Sequence, residues 1–281
     1  MKISIFPRFG ASNSSPIFQS FCNGAKKLGY EVVEHDQNAD AMVIWSVLWH
    51  GKMKNNQEIW NFSKKSGKKI IVLEVGGLFR GKTWRVGLNH INNLGFFGKK
   101  ENYDLNRPKK LGIFLKTPQK VGDNILICGQ HSKSQQWVNR PPPEKWLVDL
   151  VNKIKKHSDR KIVFRPHPRD YEWCQFLPEL GIDIRIPKKV TGTYDDFDHD
   201  QEFLNAWCVF NPCSNTGIQA AIAGIPVFTE FDSLAYPVSN KDFSKIENPE
   251  IFNKENWLLD ICHTEWMDYE LEEGYPLRNF F

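Results

Sequence analysis

The segment Val163–Asp170 reads V-F-R-P-H-P-R-D, and it places three cationic or proton-accepting side chains at alternate positions. Pro166 and Pro168 hold the backbone extended and restrict the residues before them. In extended chain, alternate side chains share a side, so Arg165, His167 and Arg169 are expected to face one anion. A guanidinium suits two-pronged contact with phosphate. The alternative is a rigid turn that displays its charges to water.

A second segment, C-V-F-N-P-C-S-N-T-G-I-Q-A-A-I-A-G-I-P-V-F-T-E (residues 208–230), leads a buried strand into a helix. Ser214, Asn215, Thr216 and Gly217 form the expected first turn. The amides and positive dipole end of a helix start favour phosphate, and small residues let a diphosphate approach the backbone. An ordinary capped helix is the alternative, since Ser and Asn are common caps. In G-Q-H-S-K-S-Q-Q-W (129–137), Gln130 and Ser132 follow a strand and are expected to bind phosphate or sugar, with a polar hairpin loop as the alternative.

The first half offers acid–base candidates. Ser46, Trp49 and His50 follow one apolar strand. Glu74 closes another, with Arg80, Lys82, Trp84 and Arg85 beyond it. A carboxylate in an apolar strand is either paired or functional, because a bare buried charge is costly. Glu74 is thus the first candidate for a base that must reach an acceptor hydroxyl, and His50 the second. The basic and aromatic residues Trp49, Arg80, Lys82, Trp84 and Arg85 suit a nucleic-acid backbone with a stacked or flipped base, or an anionic glycan. No metal-ligand spacing is present. T-Y-D-D-F-D-H-D (193–200) is expected to be a solvated acidic loop with Asp200 as a helix cap, with a cation held by its oxygen ligands as the alternative.

These residues need strand ends to hold them, and the chain supplies two alternating series. In the first half, strands near 2–7, 31–35, 41–49 and 68–76 alternate with helices near 15–30 and 55–67, which predicts a parallel sheet flanked by helices. The stretch 76–120 is expected to hold loops and a crossover. In the second half, strands near 124–130, 161–168, 183–187, 208–212 and 225–230 alternate with helices, and a last helix over 249–267 packs back on the first half. The fold class expected is α/β, with two Rossmann-like halves, 1–122 and 123–281, facing a central cleft. In such sheets ligands sit beyond the carboxyl ends of the strands.

The chain has 281 residues, 41% hydrophobic, which is enough for a buried core in each half. Residues 1–122 carry 20 Lys and Arg against 8 Asp and Glu, net +12, while 123–281 carry 17 against 25, net −8. Such asymmetry suggests that the basic half meets a polyanion; a solvated lysine-rich surface is the alternative. Six cysteines without a CxxC pair are expected to be buried thiols. No apolar run approaches the ~20 residues of a membrane span, and Pro7 and Arg8 interrupt any signal-peptide core, so a cytoplasmic protein is expected.

F-R-P-H-P-R-D and S-N-T-G-I-Q-A-A-I-A-G-I-P-V together resemble glycosyltransferases of the GT-B type, in particular the capsule-polysaccharide and CDP-glycerol transferase-like group. The likeness covers roughly residues 123–240. It implies that His167, Ser214, Asn215 and Thr216 contact the phosphates of a nucleotide sugar, a UDP-sugar in the first instance, with no cofactor and no catalytic metal. Gln219 stands where many such transferases carry an acidic residue, and Glu230 comes later, which leaves the sugar open. G-L-F-R-G-K-T-W-R-V-G-L-N-H (77–90) also looks like N-terminal regions of phage transferases that glycosylate hydroxymethylated pyrimidines such as hydroxymethylcytosine. With the basic first half, that implies DNA as acceptor, in the host cytoplasm if the chain is phage-encoded. A transferase of surface polysaccharide, and a non-catalytic nucleotide- or nucleic-acid-binding module, are the alternatives.

Overall fold

The computed structural model describes residues 1–118 and 121–281. They form two compact units, Met1–Leu111 with Leu259–Phe281, and Gly112–Leu258. The first unit begins with β1 (Lys2–Ile5), α1 (Ser15–Lys27), β2 (Glu31–Glu34), β3 (Ala41–Trp45), α2 (Asn56–Ser66), β4 (Lys69–Val75), β5 (Thr83–Leu88) and α3 (Arg107–Leu111). The second holds β6 (Asn124–Cys128), α4 (Pro143–Ile154), β7 (Lys161–Arg165), β8 (Asp183–Ile184), α5 (His199–Phe203), β9 (Ala206–Asn211), α6 (Asn215–Ile222) and β10 (Val227–Thr229). Helix α7 (Glu255–Cys262) carries the chain back to the first unit, which ends with β11 (Glu265–Met267), α8 (Asp268–Glu272) and α9 (Tyr275–Phe280).

The first sheet runs β11-β5-β4-β3-β1-β2. Strands β1 to β4 are parallel, as the apolar runs predict, and β3 is buried at every position because helices cover both faces. Helix α1 turns Ile17, Phe18, Phe21 and Ala25 inward at helical spacing. Helix α2 stops at Gly67, whose φ of 67° is the left-handed cap that glycine allows. The second sheet, β10-β9-β6-β7-β8, is parallel throughout. Each unit is thus the α/β half expected.

Three expectations change. First, the stretch 76–120 is not only loop: Thr83–Leu88 is a buried antiparallel strand on β4. The end of that stretch, residues 119–120, lies outside the described residues. Second, the long last helix is short. It gives way to β11, which pairs antiparallel with β5, opposing Glu265 to Arg85. Third, the chain passes between units at Leu111/Gly112 rather than after residue 122, and 259–281 fold with the first unit.

The third change alters the charge distribution. The first unit holds 19 Lys and Arg against 14 Asp and Glu, net +5; the second, 18 against 19, net −1. The acidic tail answers the basic half residue by residue. Glu265 pairs with Arg85, Glu270 with Arg107, Asp260 with Lys100 and Glu273 with Lys27. The polyanion argument from a +12 half is therefore weakened.

Candidate functional site

In the second unit β6 lies between β7 and β9, so the chain adds β7 and β8 on one side of it and then crosses back to add β9 and β10 on the other. The strand-end loops on either side of such a reversal form the usual ligand crevice. Three loops meet there. Gly129 lets the first lie against the second: a Cβ on it would stand 3.2 Å from Pro166 Cα. Asn211, buried at the end of β9, donates from Nδ2 to the Cys128 carbonyl at 3.2 Å. Gln130 accepts from the Cys213 amide at 3.3 Å and donates to Gln136 at 3.0 Å. Gln130 is buried with both ends of its amide engaged, so it braces the loops.

Two imidazoles stand on these loops. The His131 and His167 rings are 5.0 Å apart. His131 is buried, with Nδ1 3.3 Å from Asp170 Oδ2, while His167 is half-buried. The Ser132 amide donates to the same Asp170 oxygen at 2.5 Å. Burial alone would raise the Asp170 carboxyl, but hydrogen bonds from His131 and Ser132 outweigh it and hold the group well below the usual carboxylate range. Asp170 is therefore an anion that fixes the His131 ring. Sequence reasoning selected neither residue as a site group. H-x-H pairing across two loops leaves no spacing signal, because 35 intervening residues form α4 and β7.

Helix α6 completes the crevice. Its N-cap residue Ser214 makes no side-chain cap bond, because its hydroxyl accepts from Asn211 Nδ2 at 2.6 Å. The first-turn amides of Asn215 and Thr216 are therefore left uncapped by a side chain, at the positive end of the helix. Gly217 N reaches the Ser214 carbonyl at 3.2 Å.

The two arginines of R-P-H-P-R each have acidic partners. Arg165 is buried, with Nη2 2.5 Å from Asp198 and Nη1 3.3 Å from Glu202, so it ties β7 to the acidic segment and α5. Arg169 is exposed and paired with Asp195 at 2.7 Å. The acidic segment thus works as a counter-charge. Asp198 rather than Asp200 occupies the cap position of α5. Glu230 accepts from Arg140 at 2.7 Å and from Trp146 at 3.0 Å.

In the first unit, Ser46 and Glu74 meet at the ends of β3 and β4. Ser46 is buried at φ 65°, and its hydroxyl donates to Glu74 Oε2 at 2.5 Å while accepting from the Leu48 amide at 3.1 Å. Glu74 is half-buried and its Oε1 accepts from the Val75 amide at 2.9 Å. His50 is exposed at the start of the following turn. Three expected acceptor residues belong to the core. Trp49 is buried against Trp60, with ring centroids 6.1 Å apart. Trp84 is buried beside Trp45 and donates to Asp268. Arg85 is buried on Glu265 at 2.6 Å. Neither indole can stack on a base without leaving that packing. Of the basic set, Lys82 is exposed and Arg80 half-buried on the loop after β4. Glu265, fully buried, holds that loop by accepting from the Gly77 amide at 2.8 Å, the Leu78 amide at 3.0 Å and Thr83 Oγ1 at 2.7 Å.

All six cysteines are free thiols; burial pushes Cys128 up to about 12, which makes it inert at neutral pH. Among the described residues, no group of three or more His, Cys, Asp or Glu is arranged to hold a metal, and no helix is long and apolar enough to cross a membrane.

No protein-family profile matches the chain, and no curated protein matches it. Solved structures do resemble it. The KpsC beta Kdo 2,4 transferase of Thermosulfurimonas dismutans aligns with a TM-score of 0.50 at 11% identity, over 93% of this chain and 90% of that one. The KpsC beta Kdo 2,7 transferase of the same organism aligns at 0.48 and 13% identity, over 99% and 100%. A Methanocaldococcus jannaschii UDP-GlcNAc 2-epimerase in complex with UDP-GlcNAc and UDP aligns at 0.37 and 13%, over 99% of each chain. At 11% identity the first of these shows a shared fold and not a shared substrate; the lower scores add no argument.

Proposed function

We propose that the chain is a glycosyltransferase that draws on a nucleotide-sugar donor and transfers to a hydroxyl of a glycan. The observation that carries the reading is that the uncapped start of α6 and the His131–His167 pair stand on three linked loops at the carboxyl ends of β6, β7 and β9. Amide N–H groups and imidazoles together suit a diphosphate, and the charge that gathers on the departing nucleotide is met by them rather than by a metal. His167, Ser214, Asn215 and Thr216 keep the donor role that the sequence resemblance implies, and Gly217 of the helix start and Ser132 are taken with them. Glu74, held by Ser46 at a strand end, is the candidate base for the acceptor hydroxyl, with His50 second. The shared fold with a sugar transferase domain is compatible with this reading without carrying it.

A glycan acceptor is preferred to a DNA base because both physical arguments for DNA have weakened. The first unit is net +5 rather than +12, and Trp49 and Trp84 are core residues. The test is a mass-spectrometric assay with a panel of nucleotide sugars, UDP-sugars first. Acid-containing and neutral oligosaccharides are offered beside duplex DNA carrying 5-hydroxymethylcytosine. A mass gain of one sugar on an oligosaccharide, unaffected by EDTA, is expected. A mass gain on DNA would overturn the acceptor assignment, and binding of donor without transfer to anything would indicate a non-catalytic module.

A further inference from the structure

Ser214 has the backbone of a capping serine and does not cap. Its φ of −76° and ψ of 166° are extended values from which a serine oxygen accepts the amide two or three residues on. Here the oxygen accepts from Asn211 Nδ2 at 2.6 Å instead. Asn211 ends β9, three residues earlier, and is buried. A pure acceptor fixes which way its amide points. Nδ2 also donates to the Cys128 carbonyl at 3.2 Å, so both of its protons are engaged, one on the end of β6 and one on Ser214. The other end of the amide goes unanswered. Oδ1 is buried without a hydrogen-bond partner and lies against the first turn of α6, where a Cβ on Gly217 would stand 3.0 Å from it. A buried acceptor left unmatched is uncommon and destabilising, and it calls for a reason.

The reason lies in what the two donated bonds do to α6. The Gly217 amide already reaches the Ser214 carbonyl at 3.2 Å, so the donors that open the helix are the amides of Asn215 and Thr216. A serine free to rotate would accept from Thr216 and satisfy it. With its oxygen held by Asn211, Ser214 stays off that amide, and its own O–H proton is left to donate outward from a half-buried position. The helix start thus keeps two N–H groups and one hydroxyl proton at its positive end, a donor set that matches phosphate oxygens. The bond to Cys128 ties the same arrangement to the end of β6, from which the loop carrying His131 departs.

We propose that Asn211 is a positioning residue of the donor site, which holds the Ser214 hydroxyl away from the Thr216 amide so that the start of α6 stays open to an anionic diphosphate. The helix forgoes its own cap, and the ligand supplies it. This rests on the donor-site reading of the same loops.

Calorimetry with UDP and, separately, inorganic pyrophosphate tests it at one pH and salt, with amide hydrogen exchange of Thr216 read beside it. Asn211→Ala frees Ser214 to cap, so pyrophosphate should weaken by roughly tenfold and Thr216 exchange should slow. In the wild-type background Ser214→Ala removes an outward hydroxyl and should weaken pyrophosphate by about threefold. In the Asn211→Ala background the same change removes the cap, so it should tighten pyrophosphate and quicken Thr216 exchange again. Both members of that comparison lack the Cys128 bond, so its loss cancels, and a merely structural asparagine would not reverse the sign. Ser214→Ala weakening both backgrounds alike, or an unslowed Thr216 amide in Asn211→Ala, would overturn the proposal and leave the donor site standing. Binding of neither UDP nor pyrophosphate to wild type would bring down the donor site as well. If Asn211→Ala fails to fold, Asn211→Leu, which fills the space and lacks both donor protons, takes its place. Wild type alone decides one arm: a Thr216 amide already protected before pyrophosphate is added refutes the assignment.

Discussion

Ser46 and Glu74 are joined by a 2.5 Å hydrogen bond that a residue in the left-handed backbone region delivers across two strand ends. A serine at φ 65° is strained, and strain of this kind persists where neighbours over-determine it. Here its amide donates to the Leu73 carbonyl at 2.7 Å and its hydroxyl is held from the Leu48 side. Ser46→Ala keeps the strain and removes the donor. It should cost about 1–3 kcal/mol in urea unfolding, because a half-buried carboxylate oxygen loses its partner.

Glu74→Gln keeps the shape and removes the base. Under the proposed chemistry it should lower the transfer rate by roughly 10²–10⁴-fold and leave nucleotide affinity unchanged, read by initial rates beside calorimetry. An equal loss in donor binding would place Glu74 in the fold rather than in the reaction.

Glu265 gathers two backbone amides, one hydroxyl and the Arg85 guanidinium, with both partners of the ion pair buried. Removing one charge of a buried pair leaves the other unanswered, at about 3–5 kcal/mol. Glu265→Ala should therefore destabilise by that order in chemical denaturation, and hydrogen exchange of 76–83 should quicken. The exposed pair Lys27–Glu273 is the control, and its removal should change little.

His90 is buried edge-on against Trp60, and desolvation followed by repulsion from Lys64 lowers it from 6.5 to about 4. The unfolded chain takes a proton near pH 6.5 that the folded chain refuses until about 4. The stability contributed by the neutral ring is thus full above 6.5 and is lost as pH falls toward 4, a loss on the order of 3 kcal/mol. Urea unfolding at pH 7 and pH 4.5 should show it in wild type, and His90→Gln should shed that part of the slope.

Duplex DNA should bind weakly. With a net charge of +5 on the first unit, fluorescence anisotropy at 50 and 200 mM salt should give a shallow salt dependence and no affinity tighter than about 10⁻⁴ M at physiological salt. A steep slope would restore a nucleic-acid surface.

Most of the parallel framework was legible because β1, β3, β4, β6, β7 and β9 are apolar runs bounded by turn residues. Strand β5 was not, since T-W-R-V-G-L contains an arginine that looks exposed until Glu265 arrives from 180 positions away. Strand β11 was hidden inside a stretch with helical periodicity. The motif R-P-H-P was readable, but the direction of Arg165 was not. Its partners Asp198 and Glu202 lie more than 30 residues on, and a β-strand sends its last side chain to whichever face holds the counter-charge. The same blindness hid the His131–Asp170 pair, which exists only because β6 and β7 are neighbours.

Amide hydrogen exchange with and without saturating UDP, GDP, CDP and CMP tests the donor site most directly. The account predicts that at least one nucleotide slows exchange at Asn215 and Thr216 and in the loops at 129–134 and 166–170, with the first unit's strand-end loops unchanged. Protection confined to the first unit, or none with any nucleotide, would contradict it.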